Sequence, residues 1–286
     1  MKQGINLNYV LLKRNSDEKR SLSEGLALCK EAGFLELDYL SCWNCDDYIY
    51  QAKRARDLFD ENGCVVHQSH CPFFRYQPNG IDLFNSASKR ALEITKILGA
   101  KYFVVHADEW PIKGEKYDCS QVLEKNYELM APLVDACAKL DILPAFENLF
   151  DDTSRIDDGG RDRFSAKSED LLGLLEKFGF KNVGICLDTG HAYVSYKRDV
   201  LDFVRQVAPY VVCTHIHDNK STGDLHQPAF AGTLPIEEIF TILKSNGYAG
   251  NLTWEMVYGR YPDEIIPDFL NLLYKSGSYI DRMTAL

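Results

Sequence analysis

Residues 184–191 read GICLDTGH, an apolar run that stops on a carboxylate, Asp188, with His191 three residues further on. Three other runs end in the same way. Residues 143–148, LPAFEN, deliver Glu147; residues 211–218, VVCTHIHD, deliver His215 or His217; residues 251–255, NLTWE, deliver Glu255. Each run is short and almost continuously apolar, the pattern of a strand in a parallel sheet buried on both faces. A charge beside such residues is expensive unless it is paired or bound to metal. In a barrel of parallel strands every C-terminal end opens on one face, so ligands far apart in the chain converge on one point.

The same alternation runs outward from these four segments. Strands are expected at QGINLN, FLELDYL, CVVHQSH and KYFVVHA in the first half of the chain. Helical spacing of apolar residues predicts helices over about 22–32, 47–61, 83–98, 121–140, 168–178, 200–207, 235–245 and 263–275. Gly33, Gly63 and Gly99 stand where the first three stop. Eight strand–helix pairs favour a closed (β/α)8 TIM barrel, read as a single domain over residues 1–286, over an open doubly wound sheet. No G-x-G-x-x-G follows the first strand, so a dinucleotide site has no support. Two stretches, about 150–166 and 219–234, are long for such a barrel, and long loops often bind ligands.

Composition agrees with a soluble globular protein. Hydrophobic residues make up 45% and charged residues 26%, and no apolar run reaches the roughly 20 residues of a membrane span. The N-terminal stretch has no signal-peptide pattern, so a reducing cytoplasm is expected for the nine cysteines, several of which lie inside apolar runs. Cys42 and Cys45 form CWNC, but no second pair follows at zinc-ribbon spacing, so the segment reads as a loop. A net charge of −10 disfavours a phosphate-backbone partner.

Glu147, Asp188, His215 and Glu255 would form a mainly oxygen site for Mn²⁺, Mg²⁺, Co²⁺ or Zn²⁺ that leaves positions open for substrate. Side chains alternate along a strand, so His215 and His217 share a face and spacing alone leaves both open. His70 and His106 close the third and fourth strands and face the same mouth, as does His191 at the start of the following loop. Asp224 and His226 lie in the long loop after the seventh strand. His67, inside its strand, reads as a packed histidine. Phe73, Phe74 and Trp110 are candidate pocket walls.

Taken in order, HCPFF, VVHADE, FEN, CLDTGH, THIHDN and TWE resemble the xylose isomerase-like TIM-barrel superfamily, over nearly the whole chain. That group includes sugar and sugar phosphate isomerases and epimerases, and the AP endonuclease family 2 enzyme endonuclease IV. The resemblance implies that Glu147, Asp188, His215 and Glu255 hold one metal ion, with the first histidine of HIHD as ligand. It implies that Glu147 and Glu255 also act as acid and base, and that His191 contacts substrate oxygens. His70, His106, His191, Asp224 and His226 match the further ligands of a three-zinc cluster, so up to three ions are expected at most. The reaction expected is isomerisation or epimerisation of a sugar or sugar phosphate by proton transfer through a metal-stabilised enediolate, with His70, His106, His191, His226, Trp110 and Phe73 contacting substrate. The alternative is a zinc phosphodiesterase acting on abasic DNA. Exposed apolar helix faces leave room for a homodimer.

Overall fold

The structure is a computed structural model, and it describes residues 1–74, 79–107, 118–151, 163–220 and 223–284. Eight strands run parallel in sequence order around one sheet: β1 (Gln3–Asn6), β2 (Glu36–Asp38), β3 (Val65–His70), β4 (Tyr102–Val105), β5 (Leu143–Glu147), β6 (Gly184–Asp188), β7 (Val211–His215) and β8 (Leu252–Trp254). β1 pairs with both β2 and β8. The ring closes between β7 and β8 through a parallel bridge, Ile216 to Trp254. Two backbone hydrogen bonds make that seam, Ile216 N–H to Thr253 O at 2.8 Å and Glu255 N–H to Ile216 O at 3.1 Å. This is the (β/α)8 barrel expected from the alternation.

The helices are α1 (Leu7–Val10), α2 (Leu22–Ala32), α3 (Tyr48–Glu61), α4 (Gly80–Leu98), α5 (Cys119–Lys139), α6 (Ser168–Lys177), α7 (Thr189–Tyr196), α8 (Val200–Val207), α9 (Ile236–Ser245) and α10 (Ile266–Met283). Local chemistry sets their ends. Ser21 and Glu24 form a capping box at the start of α2, and Gly33 ends it at φ 104°. The main apolar core lies between the helices and the outer face of the strands, with Ile5, Phe103, Phe146, Ile185 and Trp254 fully buried. A smaller cluster of Tyr102, Val104, Ala145, Cys186 and Cys213 fills the barrel interior below the strand ends.

Three local expectations are corrected. The first strand stops at Asn6 rather than Asn8, because the Asn6 side chain accepts the Tyr9 N–H and caps the short α1. The segment after Asp188 is the helix α7 rather than a loop, with the Asp188 carboxylate accepting the His191 N–H at 2.6 Å. The last helix runs on to Met283, because Gly277 is a packing position and not a stop: a Cβ there would lie 2.1 Å from the Gln3 Oε1. Cys29, Cys42, Cys45, Cys64, Cys119, Cys137, Cys186 and Cys213 are free thiols. Among the described residues, no helix is long and apolar enough to cross a membrane.

Candidate metal centre

The strand ends bring the singled-out side chains together. Glu147, at the end of β5, is 1% exposed and sits at the middle. Its Oε2 is 3.0 Å from His70 Nε2 and 3.1 Å from His106 Nε2. Its Oε1 is 3.1 Å from His215 Nδ1 and 3.6 Å from His191 Nδ1. Glu255, just beyond β8, reaches His215 Nδ1 at 3.6 Å. Glu147, Asp188, His215 and Glu255 each offer a donor atom within 4.8 Å of the others, and so do His70, His106 and Glu147.

A further grouping lies beside these. His217 is fully buried, with Nε2 3.1 Å from Asp188 Oδ1 and 3.5 Å from Asp224 Oδ1. His226 Nε2 is 3.1 Å from Asp224 Oδ2, and His191 Nε2 is 3.5 Å from the same oxygen. The rings of His217 and His226 stack with centroids 4.1 Å apart. Asp188, His191 and His217 form one possible ligand set here, and His217, Asp224 and His226 another. Asp224 and His226 therefore join the cluster even though they come from a loop. That loop is held down by Asp218, whose carboxylate accepts the N–H of Gly232 at 2.9 Å and of Leu234 at 3.0 Å.

Electrostatics follow from burial against pairing. Burial opposes the charge on His191, but Asp188 and then Asp224 outweigh it and raise the pKa to about 10. Asp224 likewise overrides burial at His226 and raises it to about 9. At His106 burial wins over the nearby Glu147, and the pKa falls to about 4. Glu147 is held well below the carboxylate range despite burial, by His215 and His106. Glu255 is shifted the other way, up, chiefly by burial.

The donors fit a divalent cation. Carboxylate oxygens and imidazole nitrogens converge in a buried place, and Asp38 Oδ1, His217 Nδ1 and Asp224 Oδ1 have no hydrogen-bond partner there. The set Glu147, Asp188, His215 and Glu255 is mainly oxygen, three carboxylates and one imidazole. Five further histidines crowd the four main residues, and nitrogen-rich sets suit Zn²⁺, Co²⁺ and Mn²⁺ better than Mg²⁺.

Several participants escaped the sequence reading. Asp38 accepts from His215 Nε2 at 3.0 Å, and Asn6 donates to Asp38 at 3.2 Å. Both end strands whose alternate positions face inward, which was the available signal. Asn148 holds Asp188 in place with two 2.8 Å bonds to its backbone N–H and carbonyl. His217 was left unassigned, yet it is central to the second grouping. His67 instead packs edge-on against Tyr102 at the far end of the barrel, 3.9 Å from Glu36.

Above the cluster a cavity of about 800 Å³ opens to the surface. His70, His106, Glu147, His191, Asp224, His226 and Glu255 line its floor, and Tyr9, Tyr39, Trp43, Phe73 and Phe150 its walls. Phe73 is 56% exposed and stacks on His106 at 4.7 Å, as a pocket wall should. Phe74 is buried and packs against Trp43 rather than lining the cavity. Trp110 lies outside the described residues.

Comparison with known proteins agrees with this architecture. The chain is similar to an uncharacterized protein of Methanocaldococcus jannaschii, at 24% identity over 192 residues. That match spans 65% of this chain and 62% of the relative, less than two thirds of the relative's length. Among solved structures, a D-tagatose 3-epimerase-like protein superposes with a TM-score of 0.75 at 20% identity, covering 100% of both chains. The IOLI protein with a binding zinc atom superposes with a TM-score of 0.76 at 16% identity, again over 100% of both chains. Identities this low speak for the fold. The family model described as xylose isomerase-like TIM barrel matches residues 26–275, and the chain belongs to that family.

Proposed function

We propose that the protein is a divalent-metal-dependent isomerase or epimerase of a sugar or sugar phosphate. The observation that carries the reading is the pair of glutamates on the cavity floor. Glu147 and Glu255 come from strands three places apart around the ring and meet at His215, 3.1 and 3.6 Å from its Nδ1. Two carboxyl groups that converge on one point from different strands suit the removal and return of a proton. The D-tagatose 3-epimerase-like protein and the zinc-bearing IOLI protein of the same fold add support.

Glu147, Asp188, His215 and Glu255 would hold the ion, which supplies Lewis-acid polarisation of a substrate carbonyl when bound. The chain's own groups do the rest. Glu147 takes the proton from the carbon next to the carbonyl, and Glu255 delivers a proton, to the neighbouring carbon for isomerisation or to the opposite face for epimerisation. His70, His106, His191 and His226 face the cavity and hydrogen-bond the substrate hydroxyls. Phe73 and the other ring walls cover the sugar's C–H faces and keep water from the exchanging carbon.

The test is exchange of carbon-bound hydrogen with solvent deuterium across a panel of ketoses, aldoses and their phosphates. Glu147→Gln and Glu255→Gln should each lower exchange by about 10²–10⁴-fold while the thermal melt stays cooperative. Full exchange in either variant defeats the assignment. A second reading, a zinc phosphodiesterase acting on abasic DNA, is favoured by the overlapping ligand sets and opposed by the net charge of −10. Zinc-dependent nicking of an abasic duplex, with no deuterium exchange into any sugar, would select it.

A further inference from the structure

The CWNC turn lies at the mouth of the cavity and has no part in the chemistry above. Leu40, Ser41, Cys42, Trp43 and Asn44 line that mouth. The turn is anchored at its root, where the Asn8 side chain donates to the Leu40 carbonyl and accepts its N–H, both at 2.9 Å. Its other end passes into α3. Between them the Cys45 N–H donates to the Cys42 carbonyl at 3.3 Å. A turn closed in this way holds its first and fourth Cα atoms within about 7 Å. A disulfide spans Cα atoms about 4.4–6.8 Å apart, so the ring can close without moving either flanking element.

The pair is set apart from the other cysteines. Cys29, Cys64, Cys71, Cys137, Cys186 and Cys213 are buried, and exposed Cys119 stands at the start of α5. Cys42 is exposed and Cys45 is partly so, and the Cys45 thiol donates to Asn44 Oδ1 within the same turn at 3.9 Å.

We infer that Cys42 and Cys45 form a reversible disulfide at the cavity mouth, a modification site for low-molecular-weight disulfides. The Cys42 thiolate attacks one sulfur of the reagent R–S–S–R, whose S–S bond breaks and releases RSH after protonation. The Cys45 thiol, once deprotonated, attacks the Cys42 sulfur of the mixed disulfide and releases the second RSH. The protein dithiol is oxidised by two electrons and the reagent is reduced to two thiols. Desolvation and the Cys42 sulfur keep the Cys45 pKa up, with Asp47 and Asp46 adding to the effect, which suits Cys45 as the second thiol to react. Disulfides in reducing compartments are usually transient or sensing ones, the class to which an exposed four-residue ring belongs. Trp43 lies inside the ring and packs edge-on against Phe74 at 5.7 Å, so closure fixes the rim above the metal floor.

The test uses the full chain, reduced and then treated with oxidised glutathione. At Cys42 and Cys45 the expected product has lost both thiols, retains no glutathione, and yields a Cys42–Cys45 crosslinked peptide, with any adduct on exposed Cys119 mapped separately. Cys45→Ser should instead trap glutathione on Cys42, and Cys42→Ser should react about tenfold more slowly or less. Tryptophan emission should fall on oxidation, recover with dithiothreitol, and not change in Trp43→Phe. A wild-type chain in which Cys42 stops at the mixed disulfide, or whose crosslink maps elsewhere, overturns the inference. If the serine variants are unstable, peptide mapping of the wild-type chain decides alone.

Discussion

Gly190 lies in the first turn of α7, where alanine normally improves a helix by about 1 kcal/mol. Here a Cβ would lie 1.8 Å from His217 Cε1 and 2.2 Å from its Nδ1. The ring has little room to yield. It is fully buried, stacked on His226 and bonded to Asp188. Gly190→Ala should therefore cost about 1–3 kcal/mol in overpacking. Loss of the His217 bond to a carboxylate adds about 1.5–3 kcal/mol. After the helix gain, the net loss is about 1.5–5 kcal/mol. A chain of this length has an unfolding entropy of about 0.6 kcal/mol/K, so the melting temperature should drop by about 3–8 °C. The measurement is a thermal melt in chelator, which removes the contribution of bound metal. The control is His217→Ala, in whose background Gly190→Ala should be neutral or stabilising. An equal loss in both backgrounds would refute the steric account of the glycine in DTGH.

Adding Zn²⁺ or Mn²⁺ at about 100 times its Kd should stabilise the chain by about 2.7 kcal/mol, or about 4–5 °C. Glu147→Gln should lower the metal content by elemental analysis more than His70→Asn does, because Glu147 belongs to two of the ligand sets. The pKa values of His191 and His226 in the metal-free chain lie above the ordinary 6.5, near 10 and 9. The stability they confer is fully present below about pH 6.5 and is lost as pH rises through 9–10. Melts of the metal-free chain should show that decline, and His191→Asn should flatten it. With metal present the trend should reverse, since ligands bind deprotonated. Ser21→Ala, far from the site, should cost about 1 kcal/mol through its lost cap and leave metal content unchanged.

β4 to β8 were legible because they are largely buried and begin in apolar runs, whereas β1 to β3, with QGIN, ELD and VVHQSH, followed from the alternation with helices. The candidate ligand positions followed, since Glu147, Asp188 and His215 are the last residues of such runs. What escaped was set by contacts between segments. Asp38 and Asn6 sit in runs that look like ordinary strand ends, and only ring closure brings them to His215. α7 was missed because Thr189 and Gly190 are poor helix formers, and its start depends on Asp188 serving as cap. His217 and His215 are equivalent by alternation. Twist and the position of Gly190 send one to Asp188 and leave the other beside Glu147.

The seam between β7 and β8 gives the barrel its last closure, and it runs between His215 and Glu255. A cation gripped from both sides would act as a clasp on the hoop. Closing the circle and completing the ion's nest would then be one event, so stripping the ion should loosen the terminal strand before any other.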